Sequence, residues 1–162
     1  LVCVALADAV ARSLDLPFVQ DVLDHPLADD HDLAYDDRSS FSLTVNHRDT
    51  RTGITDEDRA LTISELAGLA ADPDPAAFAR TFRSPGHVHL LRGAPDLLAD
   101  REGHTELGLA LAEAASVPPA VVVCEMLDDE TGRARSPAAA RAYAERHDLP
   151  YVEGAALAER FG

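Results

Sequence analysis

The sequence predicts an α/β (α+β) fold, in which a layered α-β-α single domain with a mixed sheet spans residues 1–162. A chain of 162 residues, of which 46% are apolar, is long enough to bury one hydrophobic core. Short apolar runs that are typical of strands alternate with segments that carry helix-start signals. Because no internal repeat or linker interrupts this alternation, one domain is expected.

Strands are predicted from apolar runs and from the alternation of apolar with polar residues. Phe41, Leu43 and Val45 alternate with polar neighbours, so this segment is expected to form a half-buried strand. Val121–Val123 is wholly apolar and predicts a buried strand, while Ser84–Gly86 predicts a turn that precedes another strand. The expected strands are residues 1–5, 41–46, 87–91, 121–123 and 151–152.

Helix starts are marked by capping residues. Thr55 followed by Asp58 fits a capping box, and Ser136 before Pro137 places a cap before a proline at the first helical position. The Asp-rich segment 21–40 contains Pro26 and predicts an irregular loop. The expected helices are residues 7–14, a segment that starts at 55, 77–82, an amphipathic segment that follows 103–105, 137–148 and 155–161.

The charge of the chain limits its partners. The formal net charge is −15, and all 14 basic residues counted as Lys or Arg are arginines. A negative field of this size repels nucleic-acid phosphates and anionic lipids, so neither nucleic acid nor a membrane is an expected partner. A Lys-free, Asp-rich composition resembles that of halophilic proteins, in which high salt screens the self-repulsion.

The two cysteines, Cys3 and Cys124, each lie in a short apolar run. Both are expected to be buried, reduced hydrophobic residues of a cytoplasmic protein, and their spacing does not suit a zinc site. The apolar residues 1–6 have no basic segment before them and no small-residue cleavage site after them, so a signal peptide is not expected.

The strongest candidate site is the segment from Arg101 to Glu106, directly before a predicted helix. A helix N-terminus offers unpaired N–H groups and a positive dipole end to an anion. Arg101 can pair with a phosphate, Gly103 permits close approach to the backbone, His104 can bind a divalent metal, and Thr105 can contact the phosphate. An ordinary helix start with Thr105 as the N-cap explains the same residues, so both interpretations stay open.

Other side chains also suit a catalytic or binding site. His87 follows a tight turn and can act as acid, base or hydrogen-bond donor near neutral pH. Glu125 follows a predicted buried strand, which is a frequent position for catalytic carboxylates in open α/β sheets. Thr52 and Thr55 offer hydroxyls near a helix start. The alternatives are an exposed turn histidine, a solvated glutamate and a simple helix cap; His89 can pair with His87 on a metal, but no third ligand has matching spacing.

Taken in order, these segments resemble the 3,4-dihydroxy-2-butanone-4-phosphate synthase family, over nearly the whole chain. The stretch from Phe82 to His87 is closer to the archaeal members than to the common bacterial form. The segments that carry the resemblance are Leu1–Leu6, Thr52–Thr55 with Asp58–Ala60 and Thr62–Ile63, Pro85–Val88, Gly103–Glu106, and Cys124–Glu125.

The resemblance implies the conversion of ribulose 5-phosphate to 3,4-dihydroxy-2-butanone 4-phosphate and formate, a step of riboflavin biosynthesis. It implies Mg²⁺ or Mn²⁺ as cofactor, no organic cofactor, and a homodimer. His87 and Glu125 are the implied catalytic residues, and His104 is the implied metal ligand. The implied substrate-binding residues are Arg101, Gly103, His104, Thr105, Glu125, Thr52 and Thr55.

One departure from the family pattern bears on activity. The pattern begins with a strand and an Asp-Arg-Glu-x-Glu loop that supplies acidic metal ligands, and no such loop precedes Leu1. We therefore expect an N-terminally truncated member without the cysteine zinc site of a fused GTP cyclohydrolase II. Two other functions stay open: a non-catalytic sugar-phosphate-binding fragment, and another metal-dependent sugar-phosphate isomerase or aldolase.

The net charge predicts that salt stabilises the fold. Raising potassium chloride from low to molar concentration should raise the melting temperature, because salt shortens the range over which the surplus of negative charges repel one another. A melting temperature that stays flat or falls over this series would remove the argument for salt adaptation.

Overall fold

The computed structural model describes residues 2–28 and 39–162. Leu1 and residues 29–38, which are half of the predicted acidic loop, lie outside the described residues. The strands are β1 (Cys3–Leu6), β2 (Phe41–His47), β3 (Phe82–Arg92) and β4 (Ala120–Val123). The helices are α1 (Asp8–Ser13), α2 (Val19–Val22), α3 (Asp56–Ala71), α4 (Pro75–Thr81), α5 (His104–Ala114), α6 (Pro137–Arg146) and α7 (Gly154–Phe161), with 3-10 turns at Pro26–Ala28 and Leu97–Ala99.

The four strands form one mixed sheet in the order β2-β3-β1-β4. β1 runs parallel to β3 and antiparallel to β4, while β2 and β3 are antiparallel. Cys3 pairs with His89 on one side and with Val123 on the other, which fixes the register of the central strands. The predicted mixed sheet is therefore confirmed.

Two hydrophobic layers cover the two faces of the sheet, which confirms the α-β-α arrangement. Val4 and Leu6 of β1 point into a core that includes Val10 of α1 and Leu66 of α3. The alternate residues of β1 pack on the opposite face with Leu109 of α5. Successive side chains of a strand point to opposite faces, so a strand that is apolar throughout is the expected centre of such a sandwich.

The predictions for two strands need correction. β2 is not half-exposed, because its polar residues Ser42 and Asn46 are as well buried as Val45. Conversely, β4 is not fully buried: it pairs with β1 alone and forms the edge of the sheet, so Val122 is 49% exposed. Cys124, predicted to be buried, is exposed directly after this edge strand.

The cysteine at the centre of the sheet matches its prediction. Cys3 is buried, and both Cys3 and Cys124 are free thiols. Burial raises the pKa of the Cys3 thiol above its ordinary value, which keeps it protonated at neutral pH.

Residues 84–86, predicted to form a turn before a strand, lie within strand β3 instead. Val45 pairs with Val88, whereas the next residue of β2, Asn46, pairs with Arg83. The intervening residues of β3 therefore bulge out of the ladder, and a bulge re-aims the side chains that it carries. His87 is one of those side chains.

Tyr151 and Val152, predicted to form a strand, do not join the sheet. The guanidinium of Arg141 lies 4.9 Å from the centre of the Tyr151 ring. A segment of two residues offers too few ladder hydrogen bonds to compete with this stacking. The helix start at Ser136 is confirmed, and α7 begins at Gly154, one residue before the predicted start at residue 155.

The start of α3 is confirmed, with an unexpected use of its acidic residue. Thr55 is the N-cap, and its hydroxyl accepts the N–H of Asp58 at 3.2 Å. The Asp58 carboxylate accepts the backbone N–H groups of Arg51, Thr52 and Gly53 at 3.3, 3.0 and 2.7 Å. These hydrogen bonds, led by that from Gly53, hold the pKa of Asp58 below its usual range, because they stabilise the charged form.

Replacing Asp58 with Asn should lower the melting temperature at neutral pH. The amide keeps one acceptor oxygen for Thr52 and Gly53, but its NH₂ group cannot accept the N–H of Arg51, and the charge that strengthens all these hydrogen bonds is lost. The folded-state pKa of Asp58 is depressed, so its contribution is present above the unfolded pKa of about 3.8 and is lost as the pH falls through the lower folded value. The gap between native and variant melting temperatures should therefore narrow below about pH 4.

The matched control is Asp56→Asn, which removes the same charge from the same helical turn. Asp56 binds Arg59 in an ion pair in which its own side chain is 95% exposed, so its loss should change the melting temperature little. Equal effects of the two substitutions would show that charge, not the hydrogen bonds to the loop, explains the role of Asp58.

Candidate active site

His87 and Glu125 lie beyond the same end of the sheet. The row that joins His89, Cys3 and Val123 is the last paired row at this end. His87 is two residues beyond this row on β3, and Glu125 is two residues beyond it after β4. Since β1 alone separates the two strands, their backbones are two strand spacings apart, about 10 Å. Both side chains are exposed.

The N-terminus of α5 points toward this same end. The chain leaves α5 at Ala114 and returns to begin β4 at Ala120, so helix and strand run in opposite directions. Gly108 packs so closely on β4 that a Cβ there would lie 3.2 Å from Val121. His104, one helical turn before Gly108, is exposed at the end of the helix toward which β4 also runs.

α5 covers the face of the sheet on which Leu91 and Val123 lie, since both belong to the core around Leu109 of α5. His87 and Glu125 lie beyond this covered part of the same strands, His87 within the bulge of β3 and Glu125 after the end of β4. The structure thus brings His87, Glu125 and the first turn of α5 to one end of the sheet.

Arg101 and Glu106 form a short ion pair across the start of α5. The Arg101 Nη1 atom lies 2.6 Å from Glu106 Oε2, and the Glu106 side chain is fully buried. The other carboxylate oxygen of Glu106 accepts the N–H of Ala94 at 3.0 Å. A buried carboxylate that is satisfied at both oxygens fixes the guanidinium in one position.

Gly103 has a different use from the one expected. A Cβ at this position would lie 2.3 Å from Arg101 Nη1 and 2.7 Å from Glu106 Oε2, so the missing side chain makes room for the ion pair. Gly103 is also the N-cap of α5, which corrects the interpretation of Thr105 as the cap. Thr105 is buried in the first turn of the helix instead.

The loop that contains Thr52 reaches the site through Asn46. Gly53 has a positive φ of 85°, and a Cβ there would lie 2.0 Å from the side-chain amide nitrogen of Asn46. The same amide nitrogen lies 3.2 Å from Nδ1 of His87. Thr52 and Thr55 are exposed around this loop, so the structure joins the threonine motif to His87 through one buried side chain.

Sequence reasoning gave Asn46 and Glu106 no role, although both are buried polar residues in contact with candidate site residues. Glu106 belongs to the Arg101–Glu106 segment. Acidic residues are common in the first turn of exposed helices, so its position in the sequence did not indicate that it is buried. Asn46 is one of the polar residues of strand β2 that the alternation of apolar and polar residues predicted to face solvent. Each is recognisable only from its tertiary contacts.

His89 packs against an aromatic ring of the neighbouring strand. Its ring packs edge-on against Phe41 with centroids 6.0 Å apart. Within residues 2–28 and 39–162, no three His, Cys, Asp or Glu side chains come together as a metal-binding group. A separate open groove of about 300 Å³, lined by residues such as Glu65, Gly68 and Ala77, lies between α3 and α4.

No helix in the described part of the chain is long and apolar enough to cross a lipid bilayer.

Replacing Gly103 with Ala should displace Arg101 while leaving the fold intact, because the new methyl group meets the partly exposed guanidinium of Arg101 at 2.3 Å and this side chain can swing toward solvent. Titration with inorganic phosphate should show weaker binding, with a small change in melting temperature. Gly68→Ala is the control: a Cβ there meets nothing within 4 Å, so this helical substitution should stabilise the fold slightly and leave phosphate binding unchanged. Unchanged phosphate affinity in the Gly103 variant would contradict the role of Arg101.

Comparison with known proteins places the chain in a family. Residues 1–160 match the family profile described as 3,4-dihydroxy-2-butanone 4-phosphate synthase. The enzyme of that name from Archaeoglobus fulgidus is 48% identical over 99% of this chain and 73% of its own length.

Solved structures agree with this match. The crystal structure of the synthase of Candida albicans superposes with a TM-score of 0.78 and 30% identity, over 99% of this chain and 71% of that one. A synthase crystallised in complex with two magnesium ions superposes with a TM-score of 0.65 and 29% identity, over 92% of this chain and 67% of that one. The chain belongs to the 3,4-dihydroxy-2-butanone 4-phosphate synthase family.

Proposed function

We propose that this protein converts ribulose 5-phosphate to 3,4-dihydroxy-2-butanone 4-phosphate and formate, in the biosynthesis of riboflavin. The observation that carries the proposal is that His87, Glu125 and the first turn of α5 lie at the same end of the sheet. An anion site, a carboxylate and an imidazole on one surface are the groups that enolisation of a sugar phosphate requires. The family to which the chain belongs supports the same reaction.

The phosphate of the substrate is proposed to bind at the start of α5. The N–H groups of the first helical turn point out of the helix and favour an anion. Arg101 adds a guanidinium that Glu106 holds in position, and the backbone of Gly103 lies beneath it. Thr105 and the hydroxyls of Thr52 and Thr55, on the opposite side of His87, are proposed as further contacts to phosphate or sugar.

The proton transfers are proposed for Glu125 and His87. Removal of a C–H proton next to the carbonyl needs a base, and the enediolate that forms needs hydrogen-bond donors at its oxygens. Glu125 offers an exposed carboxylate, and His87 offers a ring nitrogen at the same end of the sheet. A sugar that spans the roughly 10 Å between their strands can present its carbons to both.

A divalent ion, Mg²⁺ or Mn²⁺, is proposed at His104, and no organic cofactor is needed for this chemistry. The described residues alone do not fit a complete magnesium site, since Mg²⁺ prefers carboxylate oxygens and His104 contributes a single imidazole. The proposal therefore requires carboxylates from outside residues 2–28 and 39–162, such as the Asp-Arg-Glu-x-Glu loop of the family pattern. When bound, such an ion would acidify the C–H group and stabilise negative oxygen.

A homodimer in the cytoplasm is proposed as the working form. Apolar side chains are exposed along and after the edge strand β4, close to Glu125: Val122 is 49%, Met126 40% and Leu127 54% exposed. A second copy that covered this edge would bury them and enclose the candidate site. The single domain proposed for residues 1–162 would then be one half of the active assembly, with sugar phosphate, not nucleic acid or membrane, as its partner.

A non-catalytic sugar-phosphate-binding role is the second candidate. It is favoured by the lack of a three-residue metal-binding group within the described residues. Both functions predict phosphate binding at α5, but only the enzyme releases formate. Another metal-dependent isomerase or aldolase would consume the sugar phosphate without releasing formate.

Substitutions at His104 and Glu125 should separate metal binding from proton transfer. His104→Ala should abolish turnover that depends on Mg²⁺ or Mn²⁺. Glu125→Gln should leave metal affinity largely intact and lower kcat by about a hundredfold or more, which is the range for a lost acid or base. The assay is formate release from ribulose 5-phosphate by protein that carries the upstream acidic loop, with EDTA as control.

Residues 1–162 alone are expected to bind phosphate weakly and to turn over little. Full activity of residues 1–162 alone, or activity that EDTA leaves unchanged in protein to which an Asp-Arg-Glu-x-Glu loop has been added, would show that the proposed metal site is wrong.

A further inference from the structure

We propose that Asn46 is a positioning residue that fixes the tautomer of His87, so that the neutral ring keeps its proton on Nε2. Asn46 is 3% exposed, and its side chain contacts His87 twice. The Oδ1 atom accepts the backbone N–H of His87 at 2.8 Å, and the Nδ2 atom lies 3.2 Å from the ring nitrogen Nδ1. This inference rests on the proposed function only for what His87 does to substrate.

The backbone contact decides which end of the amide faces the ring. A backbone N–H can only donate, so the Asn46 atom that receives it must be the carbonyl oxygen. The amide cannot be reversed without placing two donors against each other. The atom that faces Nδ1 is therefore the NH₂ group, which can only donate, and Nδ1 must accept. In a neutral imidazole the proton then lies on Nε2.

The side chain of Asn46 is held in this position from the other side. Gly53 packs against it so closely that a Cβ would lie 2.0–2.5 Å from its three amide atoms. The loop that carries Gly53 is in turn fixed by the Asp58 carboxylate, which accepts the Gly53 N–H at 2.7 Å. A continuous path of contacts thus leads from Asp58 through Gly53 and Asn46 to the ring of His87.

The tautomer has a chemical consequence. With Nδ1 occupied by the Asn46 amide, the exposed Nε2–H group is a neutral hydrogen-bond donor. A neutral donor stabilises a developing negative oxygen without itself being a base, so removal of the C–H proton falls to another group, which the proposed function identifies as Glu125. Asn46 thereby divides the two proton-handling roles between His87 and Glu125.

The tautomer of His87 can be measured directly. Two-bond ¹H–¹⁵N correlation spectra of ¹⁵N-histidine-labelled protein, recorded at a pH at which the ring is neutral, show which ring nitrogen carries the proton. The His87 signals are identified by their loss in His87→Asn. The native protein should show the Nε2–H pattern. In Asn46→Asp a carboxylate oxygen replaces the NH₂ group, so Nδ1 must now donate and the pattern should switch to Nδ1–H. A merely structural role for Asn46 would not produce this switch.

Ser42→Ala is the matched control, because Ser42 is a buried polar residue of the same strand with a hydroxyl that has no hydrogen-bond partner. It should leave the His87 pattern unchanged. An Nδ1–H pattern in the native protein, or an unchanged pattern in a folded Asn46→Asp protein, would overturn the inference. The native measurement needs no substitution, so a variant that fails to fold does not remove the test.

Kinetics test the donor role separately. In protein that turns over, Asn46→Asp should lower kcat by about tenfold or more and change KM little, since Nε2 becomes an acceptor. A switched tautomer with unchanged kcat would overturn the donor role. An Nε2–H pattern in a native protein that releases no formate, with the pattern switched in Asn46→Asp, would instead overturn the proposed function and leave the tautomer assignment standing.

Discussion

The structure depends on the register of β1, the strand that is buried on both faces at the centre of the sheet. Cys3–Leu6 pairs with β3 on one side and β4 on the other, and all four of its residues are buried. Because β1 is parallel to β3 and antiparallel to β4, the start of β3 and the end of β4 lie at the same end of the sheet, on either side of β1. His87 and Glu125 owe their common location to this arrangement. A slip of one residue in either pairing would send one of them to the other face.

A second layer of polar residues holds the groups that would meet the substrate. Glu106 is fully buried and pairs with Arg101, while Asn46 bonds both the backbone and the ring of His87. Asp58 organises the loop that packs on Asn46. Buried polar groups must be satisfied to avoid a desolvation cost, and satisfied groups allow little movement. The side chains of the candidate site are therefore held in place by neighbours, of which Asn46 and Glu106 are buried.

The sequence predicted the elements whose signals are local. Thr55 and Ser136 predict helix starts correctly, because the hydroxyl of a cap residue accepts a hydrogen bond from its own helix. Cys3 is buried, as the apolar run around it indicates. Apart from the strand predicted at Tyr151–Val152 and the cap predicted at Thr105, the errors concern tertiary position. Alternation in Phe41–Asn46 did not reveal that Asn46 is buried, and the apolar Val121–Val123 did not reveal that β4 is an edge. The Pro-Gly pair at 85–86 predicted an irregular backbone, but a turn and a bulge in a strand share this sequence signal.

The candidate residues followed the same division. Arg101, His104 and Thr105 were identifiable because a helix start is a local anion site, and His87 and Glu125 because they flank strands. That they lie at one end of the sheet depends on strand order, which the sequence does not encode locally. The family resemblance implied that these residues share one site, and the strand order and the register of β1 give the physical basis for their common location.

The most direct test of the account is where ribulose 5-phosphate binds. Backbone amide shifts in ¹H–¹⁵N spectra, recorded as the sugar phosphate is added, would map the contact surface. The account predicts changes concentrated at Gly53, His87, Gly103–Thr105 and Glu125. Changes confined to the α3–α4 groove, at Gly68 and Ala77, with His87 and the start of α5 unaffected, would contradict it.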